Sequence, residues 1–256
     1  MRIALYGSGR MGKAIAAIAE QRGHTIGSVV DSRNAGTAPT GCDVAIEFSR
    51  PEHALANMRL CVAHGVPVVV GTTGWYDQMN DVKALVSASK GSLLWASNFS
   101  IGVNLFFRVN RMLAGLMDKQ PDYQVHIDEI HHIHKLDAPS GTAITLARDI
   151  DLKAQRYTGF ALQEPMPSTK SEAASAPAPA PAPDPAPGPT PVPIISERIG
   201  EVTGKHSVTW TGANDRIVIT HEAFDRTGFA TGAVVAAEWL KGRKGLFTMD
   251  DVLDSL

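Results

Sequence analysis

The sequence predicts an α/β protein: a doubly wound parallel sheet followed by a second, α+β domain with an open sheet. Three observations carry that expectation. From Arg2 to Ala96, short apolar runs of strand length alternate with helical periods, the rhythm of βαβ units. A glycine-rich loop, Gly7 to Gly12, joins the first run to the first helix. After Asn98 the rhythm stops, and a long helical period leads into runs with polar alternation.

The elements follow in order. Arg2–Tyr6 is an apolar strand, Lys13–Arg22 an Ala- and Ile-rich helix ended by Gly23, and Ile26–Val30 a second strand stopping at Asp31. Strands over Val44–Phe48, Val66–Val70 and Ser92–Ala96 alternate with helices over Pro51–His64 and Tyr76–Lys90. Val103–Met117 reads as an amphipathic helix with Leu105, Phe106, Val109, Met112, Leu113 and Leu116 near one face. Tyr123–Ile130 alternates as a strand, Pro139 and Ser140 announce a helix over Ala143–Gln155, and strands over Ser207–Thr211 and Arg216–His221 flank a turn. A last helix over Gly232–Lys241 is expected to pack on the first domain. Residues 165–193 form a Pro/Ala-rich low-complexity segment. Such a run favours extended polyproline II and reads as a surface linker or lid, with a docking site for a proline-reading partner as the sharper alternative.

Composition narrows the function. The 256 residues carry a formal net charge of −2, which gives no general attraction for nucleic acid or anionic membrane. The apolar run Val66–Val70 is too short to cross a bilayer, and no targeting segment is recognised at the N-terminus. Two cysteines, Cys42 and Cys61, make no disulfide framework and read as core residues of a reducing compartment, so a cytoplasmic location is expected.

Gly7, Gly9 and Gly12 fit the G-x-G-x-x-G pattern of a Rossmann-type dinucleotide site, with Ser8, Arg10 and Met11 between them. The first glycine permits a tight turn, the second lets pyrophosphate approach the backbone, and the third allows close helix–strand packing. The helix N-terminus adds N–H groups and a positive dipole end. Asp31, at the end of the second strand, suits the ribose hydroxyls of NADH. Arg33, two residues on, offsets its charge and leaves NADPH open. The loops Gly71-Thr72-Thr73-Gly74 and Ala96-Ser97-Asn98-Phe99-Ser100 follow strands and would place small groups beside a nicotinamide ribose. Taken alone, each is equally an ordinary turn.

The run Glu129–Ala143, EIHHIHKLDAPSGTA, concentrates reactive side chains. His131, His132, His134 and Lys135 precede a turn in which Gly141 and Thr142 open a helix, offering N–H groups to a carboxylate. Histidine exchanges a proton near neutral pH. An anion holder with a proton donor is what reduction of a carboxylated imine or enone requires. Consecutive histidines point apart on a strand and no familiar ligand spacing completes them, so no metal is expected.

With these motifs in view, the chain resembles the 4-hydroxy-tetrahydrodipicolinate reductase (dihydrodipicolinate reductase) family of lysine and diaminopimelate biosynthesis. The resemblance rests on GSGRMG, EFSRPE at Glu47–Glu52, GTTGW at Gly71–Trp75, SNFSIGVN at Ser97–Asn104, HHIHKLDAPSGTA, RIGEVTGKH at Arg198–His206 and THEAFDRTGFATGA at Thr220–Ala233. It implies His131 as proton donor and acceptor, Lys135 as a second proton donor, and His132, Gly141 and Thr142 as substrate contacts. NADH or NADPH would touch Gly7–Gly12, Asp31, Gly71–Thr73 and Ala96–Phe99. It further implies a small dicarboxylate substrate, a homotetramer joined through the second domain's sheet, and a return to the nucleotide domain near Arg226. The domains expected are thus 1–102 with 226–256, and 103–225. Two departures stand out: a compact stretch between Ala35 and Asp43, and the proline run where loop and strand would be expected. The competing functions are another two-domain nicotinamide dehydrogenase, of the aspartate-semialdehyde or homoserine type, and a non-catalytic dinucleotide sensor. The semialdehyde reaction would need a nucleophilic cysteine beyond the nucleotide domain, and a sensor would not need His131 and Lys135.

Overall fold

The computed structural model describes residues 1–164 and 188–255. The chain forms two compact units, Met1–Asn104 with Arg226–Leu256, and Leu105–Asp225.

The first unit holds a six-stranded parallel sheet. Its strands are β1 (Arg2–Tyr6), β2 (Thr25–Val30), β3 (Val44–Glu47), β4 (Val68–Val70), β5 (Ser92–Trp95) and β11 (Gly245–Phe247), in the order β11-β5-β4-β3-β1-β2. Its helices are α1 (Arg10–Gln21), α2 (Pro51–Ala63), α3 (Met79–Ser89, after a 3-10 turn at Tyr76–Gln78), α6 (Thr227–Leu240) and α7 (Met249–Leu253). The strands are apolar on both faces because both are covered. Ile3, Leu5, Val44, Ile46, Val69 and Leu94 pack into one cluster, while Ala4, Tyr6, Ala45, Val68, Val70 and Leu93 pack into another. Strand order reverses between β1 and β3, and a doubly wound sheet opens its crevice at such a switch point. The compact stretch after Asp31 adds no strand beyond β2, which stays an edge.

The second unit holds a five-stranded mixed sheet in the order β10-β9-β6-β8-β7. Its strands are β6 (Gln124–His131), β7 (Tyr157–Gln163), β8 (Thr190–Arg198), β9 (Gly204–Thr211) and β10 (Arg216–Ala223). β6 runs antiparallel to β9 and parallel to β8. Helix α5 (Gly141–Lys153) buries Ala143, Leu146, Ala147 and Ile150, and Val125, Ile127, Val192, Ile194, Val208 and Trp210 are buried on the strands. Helix α4 (Ile101–Met117) crosses the boundary between the units.

Four expectations need correction. Thr190–Pro193 is not linker but the start of β8. Pro191 and Pro193 are tolerated because β6 pairs with β8 only from Ile194 onward, so no ladder bond to that neighbour is lost. The rest of the low-complexity reading, 165–187, lies outside the described residues. On α4 the buried side chains are Val103, Phe106, Phe107, Asn110, Ala114 and Met117, whereas Leu105, Val109, Met112 and Leu116 form an exposed stripe. Asn110 turns inward because its amide donates to Leu146 O at 3.0 Å. Cys61 is buried, but Cys42 is only half-buried. The final helix begins at Thr227, five residues earlier than expected, and β7, β11 and α7 are additional to the expected elements. Among the described residues no helix is long and apolar enough to cross a membrane.

Candidate active site

In the first unit, the loops after β1, β2, β4 and β5 gather at the carboxyl edge of one parallel sheet. Gly7 has φ +109°, and a Cβ there would sit 2.2 Å from Phe48 O, so only glycine passes between β1 and β3. At Gly12 a Cβ would sit 2.0 Å from Gly7 O, which is how α1 comes down onto its own loop. Gly9 differs: nothing lies within 4 Å of its Cβ position, and it caps α1 with no side-chain bond. The first-turn N–H groups of α1 have no intrahelical partner, and the open space beside Gly9 leaves room for a pyrophosphate to approach the loop. Arg10 is exposed and Met11 packs partly on the core.

Ser8 Oγ donates to Asp31 at 3.1 Å, tying the loop to the end of β2. Asp31 also accepts from the Arg33 backbone N–H at 2.9 Å and guanidinium at 2.7 Å. The Arg33 side chain, then its backbone N–H, holds the Asp31 carboxyl well below the usual carboxylate range, against a smaller opposing effect of burial. Gly71 is flat against Phe48, whose ring atoms lie 2.1–2.5 Å from its Cβ position, and Phe48 meets Phe99 at 5.6 Å between centroids. Thr72 is buried with its carbonyl accepting from the Trp75 indole at 2.7 Å, and Thr73 is exposed. Ala96 and Phe99 are buried, Ser97 is exposed, and Asn98 holds its own turn by accepting from Ser100 N at 2.9 Å.

In the second unit the alternation of β6 turns Glu129 and His131 to the same, buried face. Register brings distant residues to them: β9 places His206 opposite Glu129, and β8 places Arg198 opposite His131. Glu129 is wholly buried. Its Oε1 accepts from Ser140 N and from both terminal nitrogens of Arg198, each at 3.2 Å. Its Oε2 lies 2.6 Å from His131 Nδ1 in a bent contact. Burial raises the Glu129 carboxyl, but the His131 ring, Ser196 and Ser140 outweigh it and hold the group below the usual range. His206 meets His131 edge to face at 5.0 Å, and its Nε2 lies 3.0 Å from Ser140 Oγ. Burial first, and His131 next, push His206 down to about 3, so it stays neutral.

Ser140 caps α5 by accepting from Ala143 N at 3.2 Å, and the N–H groups of Gly141 and Thr142 open the helix. Gly141 is exposed and Thr142 half-buried. Lys135 Nζ lies 2.8 and 2.9 Å from the two Asp137 oxygens. Arg198 ties that loop, donating to Lys135 O at 3.3 Å and Asp137 O at 2.5 Å. His132 is half-buried with its ring 6.0 Å from that of His134. His131 and Lys135 are thus linked through Glu129 and Arg198, Gly141 and Thr142 follow Ser140 at the start of α5, and His132 is the next residue along the chain.

Glu129, Arg198, His206 and Ser140 were not among the candidate residues, though they belong to motifs already noted. The signal for Glu129 was its place two residues before His131 on a strand. Glu129, His131 and His206 offer ligand atoms within 4.8 Å of one another. Two ligands on one tetrahedral ion with bonds of about 2.0–2.1 Å would stand roughly 3.3 Å apart. The 2.6 Å contact, with Arg198 balancing the carboxylate, is instead that of a carboxylate–imidazole pair.

Comparison with known proteins gives a consistent result. The family model "Dihydrodipicolinate reductase, N-terminus" matches residues 1–99, and "Dihydrodipicolinate reductase, C-terminus" matches residues 102–253. A 4-hydroxy-tetrahydrodipicolinate reductase of Christiangramia forsetii is 43% identical over 258 residues, covering 100% of this chain and 99% of that one. One from Chromobacterium violaceum is 34% identical, covering 96% and 95%. Among solved structures, the dipicolinate-bound dihydrodipicolinate reductase of Paenisporosarcina sp. TG-14 superposes with a TM-score of 0.72 at 21% identity, over 97% of each chain, a likeness of fold. Matched in both halves and by relatives of the same length, the chain belongs to the dihydrodipicolinate reductase family.

Proposed function

We propose that this chain reduces 4-hydroxy-tetrahydrodipicolinate to tetrahydrodipicolinate with loss of water, using NADH or NADPH. The observation that carries this reading is His131, set against the buried Glu129 and joined through Ser140 to the N-terminus of α5. Water leaves the 4-hydroxy compound to give a conjugated imine. The bound cofactor supplies the hydride that adds to it. Gly141 and Thr142 N–H groups take a substrate carboxylate, and Lys135 exchanges Asp137 for the anionic substrate and acts as a proton donor. His132 contacts the substrate, and His131 delivers the proton that completes the two-electron reduction.

The cofactor would lie along Gly7–Gly12 with its ribose at Asp31 and its nicotinamide end near Gly71–Thr73 and Ala96–Phe99. A semialdehyde-type reaction is disfavoured because Cys42 and Cys61 both lie in the first unit, and Cys61 is buried with its thiol pushed up to about 12, chiefly by burial. A cytoplasmic homotetramer belongs to the same proposal. The exposed stripe of α4 supports self-association, which sedimentation tests.

The functional test is loss of nicotinamide absorbance with purified protein and freshly generated substrate, run with each cofactor. Consumption that depends on the diacid is the expected result. Cofactor binding without consumption would replace the reading with a sensor. Lys135→Ala is expected to lower kcat and raise substrate KM together. Retention of both would move proton donation and anion binding elsewhere.

A further inference from the structure

We infer that Glu129 is the positioning residue of His131: its carboxylate fixes the imidazole with the proton on Nδ1 and so leaves Nε2 as the atom that exchanges a proton. The catalytic meaning of this rests on the proposed reduction, but the ring state itself is measurable without turnover.

A wholly buried carboxylate is costly unless its oxygens are matched, and Glu129 divides them. Oε1 takes three donors, the Ser140 N–H and two from Arg198, while Oε2 turns to His131. An ionised carboxylate can only accept. The nitrogen 2.6 Å from it must therefore carry hydrogen, whether the ring is neutral or charged. Nε2 is left with a lone pair in the neutral ring and a transferable proton in the charged one.

The other side of the ring is shaped to match. A Cβ on Gly204 would sit 3.1 Å from His131 Nε2 and 3.3 Å from its Cδ2. Gly204 is absent from the positive-φ glycines, so its backbone does not demand glycine. The space beside Nε2 is tight instead, so a side chain there would press on the ring. His206, neutral and edge-on at 5.0 Å, supports the ring without competing as a proton donor. Arg198 joins the two halves of the network, because the guanidinium that balances Glu129 also holds the carbonyls of Lys135 and Asp137.

Glu129→Gln gives a sharp test. The donors at Oε1 claim the single amide oxygen, so the amide nitrogen faces His131 Nδ1. The ring must then accept there and carry its proton on Nε2. Protein labelled with ¹⁵N-histidine reports the tautomer through ring ¹⁵N–¹H correlations, with His131 assigned from its loss in His131→Gln. The expected result is Nδ1–H in the native protein and Nε2–H in Glu129→Gln. In the same variant kcat falls about 10²-fold or more, the scale of general acid–base catalysis, with cofactor KM little changed. Glu129→Asp, which keeps the charge, recovers part of kcat.

Nε2–H without Nδ1–H in the native protein overturns the inference, and so does Nδ1–H without Nε2–H retained in a folded Glu129→Gln protein. If circular dichroism shows that Glu129→Gln does not fold, the native spectrum decides alone. A native protein with the expected tautomer but no turnover of the diacid would count against the proposed reaction and not against the role of Glu129.

Discussion

The two units prepare for anions by opposite means. In the first, side chains are withheld: Gly7 and Gly12 bring backbone to backbone, and Gly9 leaves the N-terminus of α1 uncovered. In the second, side chains are concentrated: Glu129, Arg198, His131, His206 and Ser140 share charge and hydrogen bonds around the N-terminus of α5. A backbone cradle suits a phosphate that is held but not altered. A network of ionisable groups suits a molecule that must receive a proton. On the proposed reaction, anion binding is common to both units, whereas proton handling belongs to the second.

The strongest way to break this comparison is to remove the proposed proton donor. His131→Gln is expected to lower kcat by about 10²–10⁴-fold, the usual contribution of a positioned acid or base, while cofactor affinity stays close to native. Fluorescence titration with the reduced nicotinamide, beside steady-state turnover, separates the two. Unchanged turnover would take His131 out of the chemistry.

Next in size is the opposite experiment, adding a side chain where the first unit withholds one. In Gly12→Ala the new methyl group meets a backbone oxygen at 2.0 Å, which no rotamer relieves. Overpacking of this kind costs about 1–3 kcal/mol or more, so both thermal stability and cofactor affinity should fall. Gly9→Ala meets nothing in the protein. Its stability should be near native and its cofactor affinity reduced. Equal effects of the two on stability would undo the distinction between packing and approach.

This contrast also explains what the sequence made legible. The glycine loop, Asp31 and the βαβ rhythm were readable because their determinants lie within a few residues of one another, at strand ends and helix starts. The nearness of His131, Lys135, Gly141 and Thr142 was readable because one continuous run carries them. Arg198 and His206 were not, since they meet Glu129 and His131 only through the register of β8 and β9, more than sixty residues away along the chain. The stripe on α4 misled for a related reason. Periodicity marks an apolar face but not which neighbour covers it, and in the single chain Leu105, Val109, Met112 and Leu116 are left exposed. The Pro-rich reading ran too far because Pro191 and Pro193 resemble the preceding run, although they precede the β6-paired part of β8.

A smaller effect sharpens the account of the second unit. His206 is pushed down to about 3 in the folded chain, against an ordinary value near 6.5. Above pH 6.5 the ring is neutral in both states and contributes no pH dependence. As pH falls from 6.5 toward 3, the unfolded chain takes up a proton that the folded chain refuses, and stability declines. Urea midpoints of native protein should therefore fall across that window. His206→Gln should flatten the decline between pH 6.5 and 4.5, before most carboxylates protonate. An unchanged slope would mean that His206 protonates in place without cost.

The smallest expected effect lies at Arg33. Its side chain is 86% exposed and already engaged by Asp31 at 2.7 Å. If NADH binds as proposed, Asp31 would accept from the ribose hydroxyls, and Arg33 would have little further to do. If NADPH binds there, its 2′-phosphate would meet the Asp31 charge, and Arg33 would supply the only compensation within that pair. Arg33→Ala should therefore raise the KM for NADPH a few-fold and leave that for NADH nearly unchanged, since an exposed ion contact is worth little. Raising the ionic strength should shrink the difference, because such charges are screened over about 8–10 Å at ordinary salt. Equal KM changes for the two cofactors would mean that Arg33 only steadies the turn, and that Asp31 alone sets the preference.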